Sequence, residues 1–135
     1  MSRLMLLSLG VLVACGKSDA AREQGPPAPD GETIYMRSCA ACHMADGTGQ
    51  EGVYPPLARA DYLSRFSVEM QIDSVVNGMR GPLTVNGRAY NAPMPALGRD
   101  LSNAQIAAVL TYVRASWGNA LPPITTEQVA KYRGY

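Results

Sequence analysis

Basic residues are scarce in this sequence, and lysine is the scarcest of them. Of the 135 residues, 12 are Lys or Arg and 11 are Asp or Glu, which gives a formal net charge of +1. Lysine occurs only at positions 17 and 131, so the chain has no run of basic side chains. Proteins bind nucleic acids mainly through clustered Lys and Arg side chains that neutralise phosphates. We therefore expect no nucleic-acid partner.

Large aromatic side chains are also few, with one Trp and one Phe beside seven Tyr. Hydrophobic residues still make up 47% of the chain and charged residues 17%, which is typical of a folded domain and not of a disordered one. A domain of this length with little aromatic bulk builds a thin core. We expect a large, flat bound group to fill part of the interior.

The hydrophobic run at the N-terminus, Leu4 to Ala14, has 11 residues and is too short to span a bilayer. Arg3 precedes this run, as in the positively charged start of a secretory signal. The letters "LVAC" resemble a bacterial lipobox, in which the cysteine is acylated and becomes the mature N-terminus. This pattern predicts a lipid anchor at Cys15. An ordinary signal peptide or an uncleaved anchor is the alternative.

Residues 15–29 are polar and rich in Pro, Gly and Ala, without any apolar period. Such a composition predicts a flexible tether. We predict a signal peptide over residues 1–14, a lipid-anchored tether over 15–29 and one domain over 30–135. The domain would be exported and held at the periplasmic face of a bacterial membrane, or be soluble in the periplasm if Cys15 carries no lipid.

Helical patterns dominate residues 30–135. Asp30 can cap a helix through "ETIYMRSCAACH", Ser67 can cap one that ends at Asn77-Gly78, and Thr125 with Gln128 suggests a short last helix. Ser102 and Gln105 form a capping-box pattern before the clearest helix, which should end at Gly118. Its apolar stripe comprises Ile106, Val109, Leu110, Val113 and Trp117, and we expect Trp117 to pack in the core. "TVNGRAY" predicts a small hairpin, and Gly- and Pro-rich loops join the helices.

The segment "CAACH", Cys39 to His43, carries the chemistry of the chain. C-x-x-C-H is the pattern of covalent c-type haem attachment, in which Cys39 and Cys42 would form thioethers and His43 would lie under the iron as an axial ligand. A thioredoxin-like redox pair would need a βαβ setting, which the sequence lacks. A zinc site would lack a fourth ligand, and a structural disulfide remains a third alternative.

His43 is the only histidine, so a second histidine ligand within the chain is excluded. Methionine is the remaining common distal ligand. Met36 and Met44 lie too close to His43 in sequence to reach the opposite haem face, and we expect Met70 to be packing. Met79 is a competitor. Met94 is favoured because Pro93 and Pro95 stiffen its loop.

The segments "CAACH", "DGTGQEGVYPPLA", "MP" and "LSNAQIAAVLTYVRASWGN" resemble those of a bacterial class I cytochrome c, over about residues 30–135. The resemblance implies an all-α cytochrome c fold, with three to five helices and long Gly- and Pro-rich loops around one covalently bound haem c. It also implies that Met94 is the distal ligand and that the carbonyl of Pro55 accepts the free N–H of His43. Pro56 also fits that proline, since it directly precedes Leu57.

The C-terminal segment "SWGNALPPITTEQVAKYR" most resembles cytochrome c modules of respiratory oxidases, copper nitrite reductases and dehydrogenases. With both axial positions filled by protein, the expected function is one-electron transfer in a respiratory chain between unidentified donor and acceptor proteins, and not enzymatic catalysis. A haem c subunit bound permanently in a larger complex is the first alternative, and a peroxide- or gas-reactive haem enzyme the second. Side chains that could contact haem propionates or the haem edge are Tyr54, Arg59, Arg80, Arg88 and Tyr90.

Overall fold

A computed structural model describes residues 28–134 of the chain. The predicted signal peptide, Cys15 and almost all of the predicted tether lie outside the described residues. The described part is mostly α-helical, as predicted, and long loops connect its elements. In chain order these are α1 Gly31–Ser38, α2 Ala40–His43, α3 Asp61–Arg65, α4 Val68–Val76, β1 Leu83–Val85, β2 Arg88–Tyr90, α5 Asn103–Ala115 and α6 Thr126–Arg133.

The first predicted helix is present but is broken at Cys39. Asp30 caps α1, and its carboxylate accepts hydrogen bonds from the backbone N–H groups of Glu32 and Thr33. Cys39 has φ −122° and ψ −36°, outside helical geometry, so α2 starts a separate turn. This break is one reason why the described residues contain six helical segments where three to five were expected. Two of the six are single turns of four and five residues.

The predicted helix starts are confirmed at Ser67, Ser102 and Thr125, where each hydroxyl accepts a backbone N–H of the first turn. α1 and α6 both pack against α5, and α4 contacts both α5 and α6. The buried side chains of α5 include four of the five predicted stripe residues, namely Ile106, Val109, Leu110 and Val113. The hydrophobic core includes buried residues of α1, α3, α4, α5 and α6 and of both strands.

The fifth stripe residue, Trp117, does not belong to α5. The helix ends at Ala115 and not at Gly118, because Ser116 is extended and Trp117 has a positive φ of 51°. Side chains occupy the last helical carbonyls: Ser116 donates to Tyr112, and the Asn119 amide donates to Val113. The indole still packs against the core, on the rings of Tyr35 and Tyr112. The expected packing role is therefore confirmed, while the helix boundary was wrong.

The predicted hairpin is also confirmed. β1 and β2 pair in antiparallel register, with Leu83 opposite Tyr90 and Val85 opposite Arg88. Asn86 and Gly87, with φ of 52° and 76°, form the two-residue turn in the left-handed conformation that such hairpins require. Within residues 28–134, no helix is long and apolar enough to cross a membrane.

Candidate cofactor site

Two adjoining cavities open between α2, the loops after it and the inner faces of α4 and α5. Their empty volumes are about 700 and 690 Å³, which includes the open solvent at the mouth of each cavity. Both are lined mainly by apolar side chains, and none of their described lining residues is Asp, Glu, Lys or Arg. Residues that line both are Cys39, His43, Pro55, Met79, Leu83 and Met94. We call the cavity that is also lined by Cys42, Tyr54 and Tyr90 the outer cavity. The cavity that is also lined by Gln71, Ser74 and Val113 is called the inner cavity.

Cys39 lies at the break between α1 and α2, and Cys42 lies within α2. Cys39 and Cys42 are free thiols in the structure, not a disulfide, and both line the outer cavity. Burial, and next the nearby Cys42, raises the pKa of Cys39 to about 11, so its thiol is protonated at neutral pH. No three His, Cys, Asp or Glu side chains in residues 28–134 converge as a metal site would require. The arrangement does not favour the zinc alternative.

His43 closes α2 and is buried, with 8% of its surface exposed. Its Nδ1 donates a hydrogen bond to the carbonyl oxygen of Pro55 over 2.9 Å, since a carbonyl can only accept. The proton is thus held on Nδ1, and Nε2 keeps its lone pair. Burial lowers the pKa of His43, while the bond to Pro55 opposes this shift. The imidazole is therefore neutral at pH 7, the form that binds a metal.

The loop after α2 folds back to bring Pro55 to His43. The backbone N–H of Gly49 donates to the carbonyl of His43, and the N–H groups of Leu57 and Ala58 donate to the carbonyl of Gly47. Gly49 has φ +66°, and a Cβ there would lie 2.6 Å from the Pro55 carbonyl oxygen. The loop places Pro55 at the histidine, while Pro56 lines only the inner cavity.

Met79 and Met94 face each other across an isolated antiparallel bridge. The backbone N–H of each donates to the carbonyl of the other over 3.0 Å. In such a pair the two side chains leave the backbone on the same face, and both line both cavities. Gly78, with φ +73°, permits this close approach, because a Cβ there would lie 2.4 Å from the Met94 carbonyl oxygen. The thioether side chains of both Met79 and Met94 are therefore candidates for a ligand in the cavity.

The other methionines lie elsewhere. Met36 and Met44 line neither cavity, in keeping with their exclusion as distal ligands. Met70, expected to be packing, is 48% exposed on the outer face of α4, so that expectation was wrong. The helix turns its neighbours Gln71 and Ile72 inward instead.

Only part of the predicted haem-contact set reaches the cavities. Tyr54 and Tyr90 line the outer one. Arg59, Arg80 and Arg88 are exposed and line neither, and Arg88 forms an ion pair with Glu51.

Sequence reasoning missed three polar side chains in the inner cavity, namely Tyr62, Gln71 and Ser74. The Tyr62 hydroxyl is hydrogen bonded to Ser74 over 2.5 Å and lies 3.9 Å from the sulfur of Met79. Gln71 could have been suspected from its position, since it lies three residues after Val68 and four before Val75, both on the apolar face. A polar residue on such a face signals a buried network.

The residues of the cavity fit haem c: free thiols three apart, a neutral imidazole with an available nitrogen, two thioethers, and apolar walls. The Cytochrome c family model matches residues 28–117. Cytochrome c-552 of Thermus thermophilus is 37% identical over 112 residues, covering 77% of this chain and 84% of that protein. The cytochrome c subunit of the quinone alcohol dehydrogenase of Gluconacetobacter polyoxogenes is 34% identical over 105 residues, covering 76% of this chain and 22% of the subunit.

A third relative, the gluconate 2-dehydrogenase cytochrome c subunit of Pantoea cypripedii, is 33% identical over 112 residues, covering 82% of this chain and 25% of the subunit. The chain therefore matches most of the small cytochrome and about a quarter of each dehydrogenase subunit. Taken with the fold and the cavity, these matches mean that the chain belongs to the cytochrome c family, as an electron-transfer protein with covalently bound haem c.

Proposed function

We propose that this protein carries single electrons on one haem held by Cys39, Cys42, His43 and Met94. The observation that carries the proposal is the bond from His43 Nδ1 to Pro55, which leaves Nε2 as the only nitrogen free to bind iron. The two thiols would form thioethers with the haem vinyl groups. The haem iron supplies the one-electron chemistry, and the protein orients its ligands and keeps its surroundings apolar.

Met94 is the better distal ligand of the two methionines in the cavity. Pro93 and Pro95 restrict its backbone, which lowers the entropy lost when its sulfur is fixed. Met79 lies between Gly78 and Arg80, without a flanking proline, so its backbone is not restricted in the same way. With His43 and Met94 both bound, the iron keeps no open position, as suits electron transfer rather than peroxide chemistry.

The spectra of Met94→Ala and of its matched control Met79→Ala test this ligation. We expect the ferric protein and Met79→Ala to show the methionine–iron charge-transfer band, and Met94→Ala to lose it, because the thioether bond is removed. Loss of the band in Met79→Ala alone would assign the distal position to Met79.

We further propose a tethered shuttle between respiratory redox proteins, attached to a membrane through a lipid on Cys15. The apolar run, Arg3 and the "LVAC" letters support export and acylation. Cys15→Ser should move the protein from the membrane fraction to the soluble fraction. If the Cys15→Ser variant stays with the membranes, an uncleaved signal or a partner protein holds it there. Haem staining detects the protein in both fractions.

A permanently bound subunit is the second candidate, and the two dehydrogenase relatives described above favour it. The haem chemistry is the same, and only the residence time on the partner differs. Affinity purification from detergent-solubilised membranes separates the two: a subunit elutes with its partner in fixed ratio, while a shuttle elutes alone.

A further inference from the structure

A buried positive charge lies behind the wall of the cavity. Arg114, in the last turn of α5, has 6% of its surface exposed. Its Nε donates to the carbonyl of Pro122 over 2.7 Å, and its Nη1 donates to the side-chain oxygen of Gln71 over 2.7 Å. Both acceptors are uncharged. Residues 28–134 show two ion pairs, Arg65 with Asp61 and Arg88 with Glu51, and neither involves Arg114.

Gln71 connects this charge to the cavity. It is 2% exposed, lines the inner cavity, and its Nε2 donates to the carbonyls of Leu63 and Phe66 over 2.9 and 3.0 Å. These two bonds fix the amide so that its oxygen faces the guanidinium. Val113, the residue before Arg114, also lines the inner cavity. The guanidinium is therefore separated from the cavity by one layer of side chains.

A guanidinium stays charged at every pH at which the protein is folded, and with 6% of the residue exposed, solvent screens it less than it screens a surface charge. Neither of the two uncharged acceptors neutralises the charge, so its desolvation is not offset by a counter-ion. The charge therefore calls for a role beyond these bonds. A positive charge in a poorly polarisable interior favours any nearby group that gains an electron.

We propose that Arg114 raises the reduction potential of the haem through its uncompensated charge, with Gln71 as the residue that positions it. The inference rests on the haem-carrying function proposed above. Reduction adds one electron to the haem and changes no bond to Arg114. The oxidised state, with one more positive charge, is destabilised by the guanidinium more than the reduced state is.

Potentiometric titration of the haem-loaded protein tests the proposal with three variants. Arg114→Gln removes the charge and should lower the equilibrium constant of reduction at least tenfold, about 59 mV for a one-electron couple. Arg114→Lys keeps the charge, so its equilibrium constant of reduction should stay close to that of the wild type. Arg37→Gln removes an exposed arginine two residues before Cys39 and should change the constant less than about twofold, because water screens that charge.

Ionic strength provides a second readout. Most of the difference between the reduction potentials of the wild type and Arg114→Gln should persist in high salt, since salt screens a buried charge much less than an exposed one. A folded Arg114→Gln variant with the wild-type potential would overturn the proposal. An Arg114→Lys variant whose reduction potential falls as far as that of Arg114→Gln would also overturn the proposal. The hydrogen-bond geometry would then be the cause instead of the charge.

Gln71→Glu keeps the proposal testable if Arg114→Gln does not fold. The change is nearly isosteric, and it places a carboxylate against the guanidinium, so the pair becomes neutral. The potential should fall, and an unchanged potential in the folded variant would refute the inference. A wild-type protein without a reversible one-electron couple would refute the proposed function itself, which is a distinguishable result.

Discussion

Gly49 holds a key position near the proximal histidine. Its φ of +66° is open to glycine at little cost, and its Cα faces the backbone that supplies the acceptor for His43. A Cβ at this position would lie 2.5 Å from the Tyr54 carbonyl oxygen and 2.6 Å from that of Pro55. Any side chain at position 49 therefore pushes the Pro55 carbonyl away from the imidazole.

Gly49→Ala should destabilise the haem-loaded protein by about 3 kcal/mol, from the left-handed backbone and the carbonyl clash together. Gly52→Ala is the matched control, because it shares the loop and a φ of +75° but meets no atom within 4 Å. The control should cost about 1 kcal/mol, from backbone strain alone. Denaturant unfolding measures both, and equal losses would show that the carbonyl contact is unimportant.

The crossing of α1 over α5 depends on one small residue. Gly31 begins α1, and a Cβ there would lie 2.3 Å from the carbonyl oxygen of Ala108 and 2.9 Å from Cβ of Tyr112. The two helix backbones are thus in direct contact. This contact fixes the position of α1, and therefore of Cys39 at its end, relative to the α5 side chains that line the inner cavity.

Gly31→Ala tests this contact through the sign of its effect. In an open helix the change from Gly to Ala stabilises by up to about 1 kcal/mol. Here we expect a loss of about 2 kcal/mol, because backbone atoms of α5 cannot move aside as a side chain can. Glu32→Ala, at an exposed position in the same turn, should stay within about 0.5 kcal/mol. A stabilised Gly31→Ala protein in thermal unfolding would contradict the close crossing.

The accuracy of sequence-based prediction differed between elements for a physical reason. The caps at Asp30, Ser67 and Ser102 were predictable because a cap is a contact between residues two or three apart. The end of α5 was missed because Asn119, which takes one of its last carbonyls, is held from the other side by Leu57, 62 residues away. The Gln71–Arg114 pair was missed likewise, since the two residues lie 43 positions apart.

The same distinction holds within the site. "CAACH" predicted the thiols and the imidazole because haem attachment requires those residues next to one another in sequence. The sequence alone did not show whether the carbonyl of Pro55 or that of Pro56 accepts the N–H of His43, because this depends on how the loop after α2 folds back. The pairing of Met79 with Met94 depends on a bridge over 15 residues, which no local pattern encodes.

The cavity is lined by uncharged side chains in a molecule of low net charge. The net charge is +1, lysine is almost absent, and none of the described cavity-lining residues is Asp, Glu, Lys or Arg. A redox partner that docks at this opening would therefore meet apolar side chains such as Pro93 and Leu83. Long-range electrostatic steering has little to act on.

Electron exchange with its redox partner should therefore depend only moderately on salt. Between about 0.01 and 0.15 M ionic strength the Debye length falls from about 30 to about 8 Å, and we expect the bimolecular rate constant to change less than about tenfold. Stopped-flow measurements across this range test the prediction. Oxidation by an uncharged small molecule serves as the control for salt effects on the haem itself, and a steeper fall with the protein partner alone would indicate charged docking.

The bond from His43 to Pro55 has a consequence for mutational robustness. Its acceptor is a main-chain carbonyl, which every amino acid possesses. No substitution at position 55 can delete that oxygen. The hydrogen bond that orients the imidazole is therefore insensitive to the identity of the side chain at this position. The position of the carbonyl is instead sensitive to substitution of the glycines that shape the loop, such as Gly49, which take no part in the chemistry.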